Sequence, residues 1–327
     1  MLAAQYPTAG ASAGELRIVE LDKPEPAAGE VLVKVRFSAV NPTDWKARRL
    51  GVITGRRYER VVPGQDGSGE IEGVGQGVDH GRIGERVWLW LAQWQRPQGT
   101  AAQWLTLPAG QAVPLPPRIS LEQGAGLGIP AMTAHRCLFG DGPLGDSAVL
   151  VHGGAGAVGH AAIELARWSG ARVVATVSSA EKADLARAAG ADLVVDYRRE
   201  AVAEAVRAWA PEGVTRIVEV DLTGNVETDA AVLAPGGTIT CYAVAEAPFL
   251  PPRTLMVLNA AIKWVLLYTM PEDAKRAAVS DISSALGDGA LTALPRIGFP
   301  LERISEAHDE VEHGAIGKVL VEVPHSD

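Results

Sequence analysis

The chain has 327 residues, 47% hydrophobic and 21% charged, a profile of about two folded domains and not of a disordered polypeptide. Its formal net charge of −9, without any Lys/Arg block, argues against nucleic acid or an anionic membrane surface as partner. The 2 cysteines, Cys137 and Cys241, cannot build a four-thiolate zinc site and fit buried thiols of a reducing compartment.

The stretch Met1 to Gly14 lacks the basic start and apolar run of a secretory signal. From Glu15 to about Leu115 the texture is short strands and turns. Val31 to Phe37 alternates as a half-buried strand, and turn signals follow at Asn41-Pro42, Pro63-Gly64 and Gly73 to Gly77. Gly84 to Trp90 reads as another strand, and Pro108 to Pro117 closes a compact, barrel-like β region. Past Leu121 strands and helices alternate. Strands are expected at Ala148–His152, Arg172–Val177, Asp192–Tyr197, Arg216–Asp221 and Thr238–Val244. Between them fall helices ending near Ser169 and spanning Ala180–Ala189, Arg199–Ala210 and Val226–Leu233, the last stopped by Pro235-Gly236-Gly237. This order indicates a doubly wound parallel sheet, so the fold class is α/β. The most apolar run, Leu255 to Met270, is interrupted by Asn259 and Lys263 and is too short to span a bilayer. A cytoplasmic protein is expected. A helix over Asp273–Leu286 and a last strand over Lys318–Val323 are expected to fold back on the β-rich part, which has no helical cover of its own.

The strongest chemical signal is the run from Val149 to Gly159. Gly154, Gly156 and Gly159 match G-x-G-x-x-G between an apolar strand and a helix, the context a dinucleotide-binding turn requires. The turn Gly153, Gly154, Ala155, Gly156, Ala157, Val158 and Gly159 is therefore the expected pyrophosphate cradle, its free N–H groups facing the phosphates. About 20 residues on, where an NAD site carries Asp or Glu, the chain has Ser178, Ser179 and Lys182. Two hydroxyls and an ammonium suit a 2′-phosphate, so the expected cofactor is NADP. An N-cap role for Ser179 and a solvated helix face for Lys182 are the plainer alternatives. Tyr197 and Arg198 are expected to flank the adenine and its phosphate.

These residues resemble the medium-chain dehydrogenase/reductase superfamily, in its zinc-free quinone oxidoreductase (zeta-crystallin-like) branch. The resemblance runs through Val40-Asn41-Pro42-Thr43-Asp44, Pro63-Gly64-Gln65-Asp66 to Gly69, Gly84 to Val87, Pro130 to Ala134, the glycine turn, and the closing stretch Glu306 to Val319. It implies a GroES-like β-barrel domain over 1–122, completed by 266–327, and a Rossmann domain over 123–265. It also implies a cleft between them and dimers joined at the Rossmann sheet edges. By the same resemblance Asn41 and Thr133 approach the nicotinamide, Tyr242, Ala243, Val244 and Leu267 or Tyr268 line that region, and Lys318 is a further candidate. The zinc-bearing relatives have a Cys ligand near Asn41-Pro42-Thr43 and His-Glu at Gln65-Asp66, and neither is kept here. Without a Lewis acid, alcohol oxidation is disfavoured.

The expected reaction is hydride transfer from NADPH to a quinone or another activated α,β-unsaturated carbonyl, with no metal. Lys46 and Tyr58 are candidate donors to the acceptor oxygen, against the alternatives of a solvated lysine and a loop tyrosine. The Trp88, Trp90, Trp94 and Trp104 group reads as packing of the small β domain. His152 reads as a strand-end hydrogen-bonding group, and Asp221 as either a cleft residue or a helix N-cap. Competing functions are an enoyl-thioester reductase, with Arg48, Arg49, Arg56, Arg57 and Arg60 forming a basic entrance, and a non-catalytic NADPH-binding protein.

Overall fold

The computed structural model describes residues 1–8, 14–51, 58–243 and 249–325. The chain divides into two compact units, Met1–Ile129 with Ala293–Asp327, and Pro130–Thr292.

The first unit opens with β1 (Leu2–Pro7), β2 (Arg17–Glu20), β3 (Glu30–Ala39), α1 (Pro42–Leu50), β4 (Arg60–Val61), β5 (Asp66–Val74) and β6 (Arg86–Leu89). It continues through β7 (Trp104–Pro108), β8 (Ala112–Pro114) and α2 (Leu121–Ala125), and α3 (Gly128–Phe139) then carries the chain onward. The alternation expected from Val31 is real: Val31, Val33 and Val35 are fully buried beside Ile71, Val87, Leu89, Leu105 and Leu107. Opposite β5 the register of β3 shifts after Leu32 and again after Val35. Such bulges bend a sheet and help it curl around its core. Trp88 is fully buried and Trp90 nearly so, as packing residues.

The second unit holds β9 (Ala148–Val151), α4 (Ala157–Trp168), β10 (Arg172–Val177), α5 (Ala180–Ala188), β11 (Leu193–Asp196), α6 (Val202–Trp209) and β12 (Val214–Glu219). There follow α7 (Leu222–Val232), β13 (Leu233–Cys241), α8 (Pro252–Val257), β14 (Ala261–Trp264) and α9 (Glu272–Asp288). Its six strands are parallel in the order β11-β10-β9-β12-β13-β14. Val174, Leu150, Ile217 and Ile239 lie side by side across four of them, each fully buried. This is why these strands read as unbroken apolar runs: both faces are covered.

The chain returns to the first unit with β15 (Arg296–Pro300), α10 (Ile304–Glu312) and β16 (Lys318–Glu322). The seven-stranded sheet of that unit runs β15-β16-β3-β5-β6-β8, with β7 also on β3.

Several expectations need correction. The compact units divide after Ile129 and Thr292, whereas the expected domains divide at 122/123 and 265/266. At the first of these, the Ile129 N–H donates to Asp66 Oδ2 at 2.8 Å within the first unit. Helix α9 belongs to the parallel unit, not to the β-rich one with which the sequence groups it. It packs on the parallel unit, where Asp288 accepts from Trp168 Nε1 (2.9 Å) and Asp281 lies 2.7 Å from His135 Nε2. Pro235-Gly236-Gly237 does not precede a strand but lies within β13, as an irregularity between Leu233, paired with Val214, and Thr238, paired with Arg216. Strand β1 had no expectation at all. No helix among the described residues is long and apolar enough to cross a membrane.

Candidate active site

The glycine turn leaves the carboxyl end of β9. Its conformation is fixed by Gly154 N–H donating to Thr176 O (3.0 Å) and Gly156 N–H donating to Gly153 O (2.9 Å). The glycines serve different ends. A Cβ on Gly159 would stand 2.2 Å from Gly153 O, and one on Gly154 2.8 Å from Ala175 Cβ. Those two are demanded by the protein's own packing. Gly156 is not: it adopts ordinary extended backbone (φ −75°, ψ 161°), and a Cβ there meets nothing nearer than Gly153 O at 3.4 Å. It is exposed, it is the N-cap of α4, and no side chain caps that helix end. A bare backbone at a helix N-terminus, with Ala157 and Val158 half-exposed beside it, is what close approach of a phosphate needs. Ala155 is buried and supports the turn from within.

The next strand end carries the second polar group. Ser179 caps α5, accepting from Lys182 N–H at 3.3 Å, while Lys182 Nζ donates to Ser178 Oγ at 3.1 Å. The N-cap alternative for Ser179 is therefore realised, and Lys182 is half-buried against Ser178 and not a free solvated chain. An ammonium and a hydroxyl thus stand together at the carboxyl end of β10, where an anion is favoured. Tyr197 and Arg198 follow β11, both exposed, with Tyr197 N–H donating to Val177 O at 3.1 Å. Tyr242 and Ala243 follow β13 and are half-buried; Tyr242 N–H donates to Glu219 O at 3.1 Å. Burial pushes the Tyr242 phenol up, with the nearby Cys137 and Glu219 adding to the effect. Thr133 on α3 and Tyr268 are buried. Val244, like Arg56 and Arg57, lies outside the described residues.

The first unit contains a buried charged network. Asn41 donates from Nδ2 to Asp66 Oδ2 (2.8 Å), accepts at Oδ1 from Lys318 Nζ (2.7 Å), and donates its backbone N–H to Asp44 Oδ2 (2.7 Å). All four residues are buried. Burial, together with the neighbouring Asp66, raises the Asp44 carboxyl to about 7, and burial raises Asp66 to about 6. Burial lowers Lys318, against the pull of Asp66 and Asp44. Asn41 is committed at both ends of its carboxamide. Lys318 is a full member of this network, and so are Asp44 and Asp66, to which the sequence by itself assigns no role.

The candidate donors fare differently. Tyr58 donates its hydroxyl to Gln95 O, so its proton is engaged. Lys46 is half-buried with Nζ 5.6 Å from the Trp45 ring centre. Arg48 donates to Gly14 O, and Arg49 is paired with Asp309 (2.9 Å) and Glu312 (2.8 Å), so neither forms an open basic entrance. His308 is buried, and burial with Arg48 and Arg49 near it lowers it to about 3. Asp221 is the N-cap of α7.

Two family models match: one described as zinc-binding dehydrogenase over residues 157–284, the other as alcohol dehydrogenase GroES-like domain over 27–117. The residues where the zinc-bearing relatives place their ligands do not fit zinc. They are the carboxamides of Asn41 and Gln65 and the carboxylate of Asp66, with the Lys318 ammonium hydrogen-bonded to Asn41. Zinc prefers thiolate and imidazole, and a buried cation already faces these acids. A quinone oxidoreductase of Rattus norvegicus is 29% identical over 91% of this chain and 90% of its own length. Among solved structures, an NAD-dependent alcohol dehydrogenase is 27% identical with a TM-score of 0.88, covering 99% of this chain and 100% of its own. The quinone oxidoreductase of Thermus thermophilus, solved also as its NADPH complex, is 30% identical with a TM-score of 0.81, over 98% of this chain and 100% of its own. With that fold, that turn and that likeness along almost its whole length, the chain belongs to the quinone oxidoreductase branch of the medium-chain dehydrogenase/reductase superfamily.

Proposed function

We propose that this protein is an NADPH-dependent reductase that passes hydride to a quinone or another activated α,β-unsaturated carbonyl, without a metal. The observation that carries the reading is the glycine turn with an uncapped helix N-terminus at Gly156, joined by the Ser178–Lys182 pair at the end of the next strand. When bound, NADPH supplies the hydride. The protein's own part is positional. Backbone N–H groups of the turn hold the pyrophosphate, and Ser178 with Lys182 takes the 2′-phosphate. A quinone or enone needs no Lewis acid, because the charge that develops is delocalised onto its own oxygen. That agrees with a first unit in which Asn41 already accepts from Lys318 and donates to Asp66. Water or Lys46 delivers the final proton, since the Tyr58 hydroxyl is engaged.

The test is NADPH and NADH oxidation against quinones, enones and acyl thioesters. Preferential turnover of quinones or enones with NADPH is expected. Preference for NADH would overturn the cofactor assignment, and turnover of thioesters alone would favour the enoyl-thioester reductase, which the pairing of Arg49 with Asp309 and Glu312 counts against. Binding of NADPH with no turnover of any acceptor would indicate a non-catalytic role.

The protein is further proposed to work as a cytoplasmic homodimer. Both cysteines are free and buried, in keeping with a reducing compartment. Strand β14 is the open edge of the parallel sheet, and Trp264 on it is 58% exposed; Met256 and Phe249, nearby in sequence, are 71% and 85% exposed. An unpaired edge with exposed apolar residues suits a second copy. Light scattering that gives the monomer mass at micromolar concentration would exclude it.

A further inference from the structure

The geometry points to His152, Glu219 and Asp229 as one proton-holding unit at the root of the glycine turn, which takes up a proton when an anionic dinucleotide binds there. This rests on the proposed cofactor reading and adds a linkage that the reading does not contain.

The three residues come from three elements. His152 follows β9 and immediately precedes the turn, Glu219 ends β12, and Asp229 lies on α7. Glu219 and Asp229 are 0% exposed, and His152 is 3% exposed. His152 Nε2 lies 2.9 Å from Asp229 Oδ1 and 3.5 Å from Glu219 Oε2; its Nδ1 lies 2.9 Å from Thr176 Oγ1. Thr176 also accepts the turn's Gly154 N–H through its carbonyl, so the imidazole and the turn share one anchor. Glu219 Oε1 accepts from the Asp221 N–H and from Asn225 Nδ2. Among the described residues, Glu219 Oε2 and Asp229 Oδ2 have no hydrogen-bond donor as partner.

Two fully buried carboxylates against one imidazole leave an excess negative charge unless one acid keeps its proton. The two unpartnered oxygens are where such a proton belongs. Burial, with Asp229 close by, raises the Glu219 carboxyl to about 7. Burial alone would lower His152, but Asp229 and Glu219 outweigh it and raise it. The other titratable groups that bear on the unit among the described residues are Asp221, facing His152, and Cys241 and Tyr242, beside Glu219. The last two are pushed upward by burial and stay neutral through the neutral range. Near neutral pH, then, the exchangeable proton is the one on Glu219. Losing it places a further negative charge behind the N–H groups that must hold a pyrophosphate. A bound pyrophosphate favours its retention, and by reciprocity its uptake strengthens binding. His152 acts here as a positioning residue and touches no reacting atom.

The test is isothermal calorimetry of NADPH and of NADH with the whole protein at pH 7.5, in buffers of different ionisation enthalpy. A 2′-phosphate monoester titrates near pH 6 by itself, so NADH, which lacks it, isolates the protein's share. Net proton uptake by the unsubstituted protein with both ligands, largely lost in Glu219→Gln and Asp229→Asn, is the expected result. With it, the NADPH dissociation constant should weaken about fivefold or more between pH 6.5 and 8.5, and much less in Glu219→Gln. Binding without uptake, or equal uptake in both variants, would overturn the inference and leave the cofactor reading intact. Absence of binding heat with either ligand removes the cofactor reading first and this linkage with it. A readout independent of any variant is carboxyl ¹³C NMR of the unliganded protein. A buried carboxyl titrating near neutrality, and moving upward when NADPH is added, supports the unit. A stoichiometric divalent metal that is lost in His152→Ala would overturn it, because a cation would then hold the carboxylates.

Discussion

Each unit contains a cluster of two buried carboxylates against a single basic group, and the identity of the base separates the clusters. In the first unit Asp44 and Asp66 share the Lys318 ammonium, relayed through Asn41; in the second Glu219 and Asp229 share the His152 imidazole. Lysine's ordinary pKa lies far above neutrality and histidine's lies close to it. The first cluster thus holds an ammonium against its two buried acids. The second is the proposed proton-holding unit, and His152 in it immediately precedes the turn proposed to hold the pyrophosphate.

The hardest way to break this comparison is Lys318→Met. It strands Asp44 and Asp66 without a cation and should cost about 3–5 kcal/mol of stability at pH 8. Their carboxyls, at about 7 and about 6, lie above the usual carboxylate value of 3.8. Between pH 4 and 7 the folded state therefore holds protons that the unfolded chain has released, and stability falls as pH rises through that window. The penalty for Lys318→Met should accordingly shrink at pH 5, where both acids are neutral. Urea unfolding at the two pH values measures it, and an equal loss at both would refute the charged network.

A second, smaller effect separates the glycines. In Gly159→Ala the new methyl collides with Gly153 O, costing about 1–3 kcal/mol by thermal unfolding. Gly156→Ala should stay within about 0.5 kcal/mol of the parent, yet bind NADPH about tenfold more weakly because its methyl enters the phosphate path. Fluorescence titration reads the binding, and unchanged affinity in Gly156→Ala would show that the phosphate lies elsewhere. Next, Lys182→Ala should weaken NADPH about tenfold through loss of a charged hydrogen bond and leave NADH nearly unchanged. Parallel loss for both cofactors would remove Lys182 from the 2′-phosphate pocket. The smallest effect belongs to Arg49→Ala. Its pair with Asp309 is solvent-exposed and only Glu312 is half-buried, so chemical unfolding should show a loss of about 1 kcal/mol or less.

Much of the second unit was legible because its signals are local. Arg172–Val177 was bounded as found, and the helices after the glycine turn and after Ser179 differ from expectation by a residue at most. What failed there failed for tertiary reasons. The Pro235-Gly236-Gly237 stretch, a plausible strand breaker, is absorbed into β13 because the neighbouring β12 still pairs on both sides of it. The amphipathic pattern of α9 does not say which unit covers it, and its bonds from Asp288 to Trp168 and from Asp281 to His135 tie it to the second. In the first unit Asn41 and Lys318 lie 277 residues apart. No spacing rule pairs them, so Lys318 stood in the sequence reading only as a further candidate.

The sequence by itself determined the things that a short stretch of backbone must obey. A strand, four glycines and a helix can turn in few ways, and a serine-and-lysine strand end repels no phosphate. Tertiary structure alone decided which charges meet. A carboxylate's protonation depends on what surrounds it after burial, and for Asp44, Asp66, Glu219 and Asp229 those surroundings come from distant segments brought together only when the sheets close.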